Sequence, residues 1–86
     1  MDKKVYESVI SGKSDNNIKY TDFQSLIIGL GFEFVRQNGS HEIYSNKKIQ
    51  KSMNIQNDGS KAKAYQVRQV LEAIRRLERL EEENEI

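Results

Sequence analysis

The stretch that decides the fold is FEFVRQNGSHEIYSN, residues 32–46. FEFVRQ has the aromatic and β-branched content of a strand, NGS is a tight-turn signature, and HEIYSN reads as the returning strand of a hairpin. The turn puts the only histidine of the chain, His41, at the start of that return. Strand alternation groups His41 with Ile43 and sets Tyr44 on the opposite face. If Ile43 points inward, His41 sits at the rim of the core or after a local irregularity. These residues leave both arrangements open.

Working outward, KKIQK is a basic loop, and SMNIQN, with Met53 and Ile55 alternating with polar residues, is a third strand. NDGSKAK reads as a turn followed by a second basic loop. From about Ala64 the pattern becomes helical, with Val67, Val70, Leu71, Ile74 and Leu77 in one stripe that Leu80 extends. The Glu-rich last turns are expected to fray. Upstream, residues 3–11 form a short helix with Val5, Tyr6, Val9 and Ile10 on one side and Gly12 as its stop. SGKSDNN, 11–17, is a polar loop. Its Gly-Lys-Ser lacks both the first glycine and the preceding buried strand of a phosphate-binding loop. A second helix begins near Thr21 or Asp22, either of which can cap it. Phe23, Leu26, Ile27 and Leu30 make its apolar stripe, and Gly29 and Gly31 end it. The order is helix, helix, three antiparallel strands, helix. This predicts a two-layer α+β domain with the helices on one sheet face and the other face open.

The 86 residues make one small domain, with 78–86 an acidic tail, and no cysteine supports it by a disulfide or thiolate site. The start has no apolar h-region, and no apolar run approaches the roughly 20 residues that span a bilayer. A cytoplasmic protein without membrane segments is expected. The net charge of +1 hides an asymmetry. Residues 1–76 carry 13 basic and 8 acidic side chains, and residues 77–86 carry one arginine and five glutamates. Residues 36–76 alone hold nine bases and three acids, which suits a polyanion partner as well as a solubilising surface.

Two blocks, SGKSDNNIKYTDFQSLIIGLGFEFVRQNGSHEIY and MNIQNDGSKAKAYQVRQVLEAI, resemble the HicA toxins of bacterial type II toxin–antitoxin systems. The most specific signals are Leu-Gly-Phe entering the first strand, Gly-Ser-His at the hairpin, and IQNDGSKAKAYQVRQV before the last helix. The resemblance covers about residues 5–74, nearly the whole chain. The resemblance implies a double-stranded-RNA-binding-domain-like fold, endoribonuclease activity on mRNA, and a HicB-like antitoxin that occludes the site. It also implies that His41 is catalytic. Three positions depart from the family pattern. Ala64 replaces a common proline, Ser60 replaces a common glycine, and Glu42 follows the histidine. The first two are expected only to loosen a turn. Glu42 is expected to set an anion beside the site, weakening phosphate binding or raising the imidazole pKa.

The residue types fit this chemistry. RNA brings its own nucleophile, the 2′-hydroxyl, and an imidazole with an ordinary pKa of about 6.5 can move a proton near neutral pH. Gly39 lets backbone N–H groups approach a phosphate, and Ser40 can donate to a non-bridging oxygen. Lys47, Lys48, Lys51, Lys61 and Lys63 occupy the two basic loops and can track an RNA backbone. No cofactor and no metal are called for: one histidine and scattered carboxylates form no ligand set. Tyr44 can stack a base or pack, and packing is the commoner fate of Tyr44, Phe32 and Phe34. The second proton-transfer group is not identified. The competing readings are a non-catalytic RNA-binding module of the same fold, and a protein-interaction domain built on the last helix.

Overall fold

Helix α1 (Lys3–Ser11) and helix α2 (Tyr20–Gly29) precede an antiparallel sheet, and helix α3 (Ala64–Asn84) follows it. The strands β1 (Glu33–Asn38), β2 (His41–Asn46), β3 (Lys51–Asp58) and β4 (Lys61–Ala62) lie side by side in chain order. The computed structural model describes residues 3–12 and 18–84, so most of the polar loop read at 11–17 lies outside it.

The sheet has four strands where the sequence predicts three. The second basic loop contains β4, which returns against β3 through the pairs Asn57↔Ala62 and Asp58↔Lys61. Gly59 and Ser60 between them both take positive φ, +56° and +69°. That is the pattern of a two-residue type I′ hairpin, whose twist matches the flanking strands. Serine here is more than a loosened turn, because a Cβ in this region costs roughly 1–2 kcal/mol.

Helix α2 also departs from expectation at its start. Tyr20 opens it, and Lys19, in extended backbone, stands at the N-cap with no side-chain cap. The end needs no Thr21 or Asp22 cap, because the free amide of Tyr20 donates to the Ser60 carbonyl at 2.9 Å. Helix α3 runs to Asn84, past the point of expected fraying. Two tertiary hydrogen bonds hold its second half: Tyr6 Oη to Glu78 Oε1 at 3.3 Å, and Arg76 Nη2 to the Ile49 carbonyl at 2.8 Å.

The helices cover one face of the sheet. Tyr44, Met53, Ile55 and Ala62 from the strands are buried with Val9 of α1, Phe23, Leu26 and Ile27 of α2, and Val67, Val70, Ala73 and Ile74 of α3. Asn46 is buried on the same face with its polar atoms satisfied. Its Nδ2 donates to the Leu30 carbonyl at 3.1 Å and its Oδ1 accepts from the Lys48 amide at 3.0 Å. The alternate positions, His41, Ile43 and Ser45 on β2 and Ser52, Asn54 and Gln56 on β3, face outward, half-buried or exposed. Strand β1 is an exposed edge whose register shifts between Phe34 and Arg36, a bulge of the kind that blunts edge pairing.

Candidate active site

Strand parity fixes where the imidazole goes. Tyr44 is 3% exposed and points into the core, so Ile43 and His41 lie on the open face. His41 Nδ1 lies 2.9 Å from Asn54 Oδ1. With the amide oxygen as acceptor, the proton resides on Nδ1, and Nε2 keeps its lone pair to accept a proton. Asn54 is held from behind, because its carbonyl accepts from Nε2 of the buried Gln66 at 3.3 Å.

The turn before His41 is clamped on both sides. Gly39 takes φ +63°, and its carbonyl accepts from Gln37 Nε2 at 3.0 Å. Ser40 Oγ accepts from Gln56 Nε2 at 3.1 Å, and the other end of that amide, Gln56 Oε1, accepts from Lys63 Nζ at 3.1 Å. Gln56 is also the cross-strand partner of His41. One glutamine therefore gathers a hydroxyl, an ammonium and the strand position of the imidazole at the same corner. A base, a hydrogen-bonding hydroxyl and a cation around an open surface are the groups that phosphodiester cleavage uses.

Glu42 is not part of this corner. Although adjacent to His41 in the chain, it projects from the opposite face. There its carboxylate accepts from Tyr20 Oη at 2.6 Å, Gln24 Nε2 at 3.0 and 3.2 Å, and Tyr44 Oη at 3.3 Å. The expectation of an anion beside the site is corrected by strand alternation alone. Burial, reinforced by the Glu42 hydrogen bond and charge, pushes the Tyr20 phenol well above its ordinary pKa. The Tyr44 phenol is raised too, by burial first and the Glu42 charge second. Tyr44 is a core residue with its ring edge-on to Phe34, centroids 5.6 Å apart, so it offers no platform for a base.

The five candidate lysines divide. Lys63 joins the His41 corner through Gln56, and Lys61 lies two residues before it on β4. Lys47 and Lys48 in the β2–β3 turn, and Lys51 at the start of β3, lie at the other end of the sheet, where Asn46 pairs with Lys51. The structure thus brings together Gly39, Ser40, His41 and Lys63, and leaves Lys47, Lys48 and Lys51 apart. Sequence reasoning passed over Asn54 and Gln56. The signal was present, since the period that buries Met53 and Ile55 turns Asn54 and Gln56 to the side His41 occupies. Among the described residues, no three His, Asp or Glu side chains group to hold a metal, and no helix is long and apolar enough to cross a membrane.

A two-layer α+β domain with helices on one sheet face and a polar corner on the other belongs to the double-stranded-RNA-binding-domain-like class, here with one strand more than expected. The family follows from comparison with known proteins. Residues 20–76, from the start of α2 to the middle of α3, match the family described as HicA toxin of bacterial toxin–antitoxin. The chain belongs to that family, and is a toxin component of a toxin–antitoxin system. No curated protein and no solved structure matches it.

Proposed function

We propose that this toxin is a metal-independent endoribonuclease that cuts mRNA through His41 and is neutralised by a HicB-like antitoxin. The observation that carries the reading is the His41–Asn54 hydrogen bond on the open sheet face, beside the Ser40–Gln56–Lys63 chain. His41 Nε2 takes the proton of a ribose 2′-hydroxyl, and the resulting oxyanion attacks the adjacent phosphorus. Ser40 and the Lys63 ammonium steady the charge that grows on the non-bridging oxygens. The 5′-oxygen leaves, taking a proton from the imidazolium or from water. The products are a 2′,3′-cyclic phosphate and a 5′-hydroxyl. An antitoxin that covered the open face of β2 and β3 would block substrate and leave the core untouched.

The test uses purified protein and RNA in EDTA. Wild type cleaves the RNA and leaves cyclic phosphate ends, while DNA and RNA bearing 2′-O-methyl groups survive. His41→Ala lowers the rate by about 100-fold or more, the usual scale for a lost general acid–base. If His41→Ala cuts as fast as wild type, the catalytic assignment is wrong. If neither protein cuts but both bind RNA, the domain is an RNA-binding module.

A further inference from the structure

Strand β1 carries one residue more than β2 can pair. Phe34 lies opposite Tyr44, and the next matched pair is Arg36↔Ile43, which leaves Val35 as the extra residue. Partners in an antiparallel pair share a face, so Arg36 stands with Ile43 on the open side. Regular alternation from Phe34 would have set Val35 opposite Ile43 and Arg36 opposite Glu42, on the helix side. The bulge keeps the guanidinium away from that carboxylate and turns it to the face of His41. Bulges recur beside active sites because they re-aim a side chain in this way.

The cross-strand partner of His41 is Asn38, and Arg36 is the diagonal neighbour on the same face. Diagonal neighbours lie roughly 7–8 Å apart, within reach of a long side chain. The imidazole leaves the β1 side open. Its Nδ1 is engaged by Asn54 of β3, so Nε2, across the ring, points away from Asn54. Arg36 is exposed, and among the described residues no hydrogen bond or ion pair engages its guanidinium. The acid on this face of β1 is Glu33, opposite Ser45 and one step farther from His41, and it does not hold the guanidinium either.

We infer that Arg36 is a further catalytic residue, which binds the phosphate of the linkage cleaved at His41 and holds two of its non-bridging oxygens from the β1 side. The inference rests on the nuclease reading above for its reaction, and on the bulge for the residue. As the 2′-oxygen bonds to phosphorus and the bond to the 5′-oxygen breaks, negative charge grows on the non-bridging oxygens. A guanidinium presents parallel N–H donors whose spacing matches two such oxygens. It also keeps its protons at any working pH, so it steadies the charge without competing for the proton that His41 moves. Ser40 and Lys63 approach from the turn and from beyond β4, so Arg36 completes the surround on the side they leave empty. A contact to phosphate carries no sequence information, so the residue sets rate rather than base preference.

The test compares wild type, Arg36→Lys and Arg36→Gln on a short RNA in EDTA, with circular dichroism to check that both variants fold. Glutamine keeps much of the aliphatic stem and removes the charge. Arg36→Gln is expected to lower kcat by about 100-fold, the scale of a lost oxyanion donor, while KM rises by no more than about five-fold. Arg36→Lys is expected to reach no more than about a tenth of the wild-type rate, because a point charge lacks the planar fork. The limb of the pH–rate profile set by His41 stays in place in both variants, which a displaced imidazole would not allow. Binding is read apart from cleavage, by fluorescence anisotropy across a salt series on the same RNA made uncleavable by 2′-O-methyl groups. There Arg36→Gln is expected to lower the log–log salt slope by about 0.7, the share of one phosphate contact on a single strand. Arg36→Gln cutting within about three-fold of wild type overturns the inference, since a lost oxyanion donor costs far more. So does Arg36→Lys cutting at the full rate, which would require only a charge. Cleavage that depends on His41 but not on Arg36 leaves the nuclease reading standing and removes this residue from it. RNA that wild type never cuts, but binds with a salt slope that Arg36→Gln lowers, keeps the phosphate contact and removes the nuclease reading.

Discussion

Residues 41 and 42 are neighbours in the chain and belong to different parts of the protein. His41 faces outward, with one hydrogen bond to a surface asparagine, while Glu42 faces the helices under two phenols and an amide. The same split runs along β3, where Ile55 is fully buried and Asn54 is exposed. The inner side of the strand pair carries the core, and the outer side carries the site proposed for cleavage. A sheet keeps the two apart without any domain boundary, because its side-chain period is two. In so small a protein this separation lets the outer surface change without dissolving the core beneath it.

The contrast breaks most sharply at Ile55 and Asn54. Ile55→Ala should cost about 2–5 kcal/mol in urea denaturation, a large part of the roughly 5–15 kcal/mol typical of a whole domain, while the folded fraction still cuts RNA. Asn54→Asp should do the opposite. Stability should move by less than about 0.5 kcal/mol, but a carboxylate against Nδ1 favours the imidazolium. The limb of the pH–rate profile that requires a neutral base should then shift to higher pH by about one unit; a limb that stays in place would mean the His41–Asn54 contact has no part in proton transfer. The Glu42 cluster sharpens the inner side. The folded state holds the proton on Tyr20 above the ordinary phenol value of 10.0, so the unfolded chain ionises first as pH rises. Stability is thus full below about pH 10 and falls above it, as the proton count on the unfolded side drops. Tyr20→Phe should cost about 1–2 kcal/mol at neutral pH by removing a Glu42 donor, and should flatten the alkaline loss seen in thermal melts. The smallest effect belongs to the β3–β4 turn. Ser60→Gly should raise stability by about 0.5–1 kcal/mol in the same melts by relieving positive φ, with cleavage unchanged.

Much of this architecture was legible. The stripes of α2 and α3 have a helical period, and the Gly-Ser turn between two strand-like runs marks the hairpin, so element types and order could be read. The side on which His41 lies could not. HEIYSN offers an apolar residue to each face, Ile43 and Tyr44, and only packing chose Tyr44, whose hydroxyl finds Glu42. The bulge between Phe34 and Arg36 also breaks the parity of β1, so the partner strand could not decide the matter. Strand β4 was hidden because two residues carry no period, and its identity rests on a turn in which serine occupies a glycine conformation. The lysines looked like one population because charge has no direction in a sequence. Folding sends them to opposite ends of the sheet.

Tyr20 fastens more than its own helix. Its amide ties to Ser60 in the β3–β4 hairpin and its hydroxyl to Glu42 in the β1–β2 hairpin. Those two hairpins lead to Lys63 and His41 respectively, so a single tyrosine on the hidden side acts as the common datum from which both are indexed. The segments that carry the cation and the imidazole therefore share one anchor, and a change at that one residue reaches both.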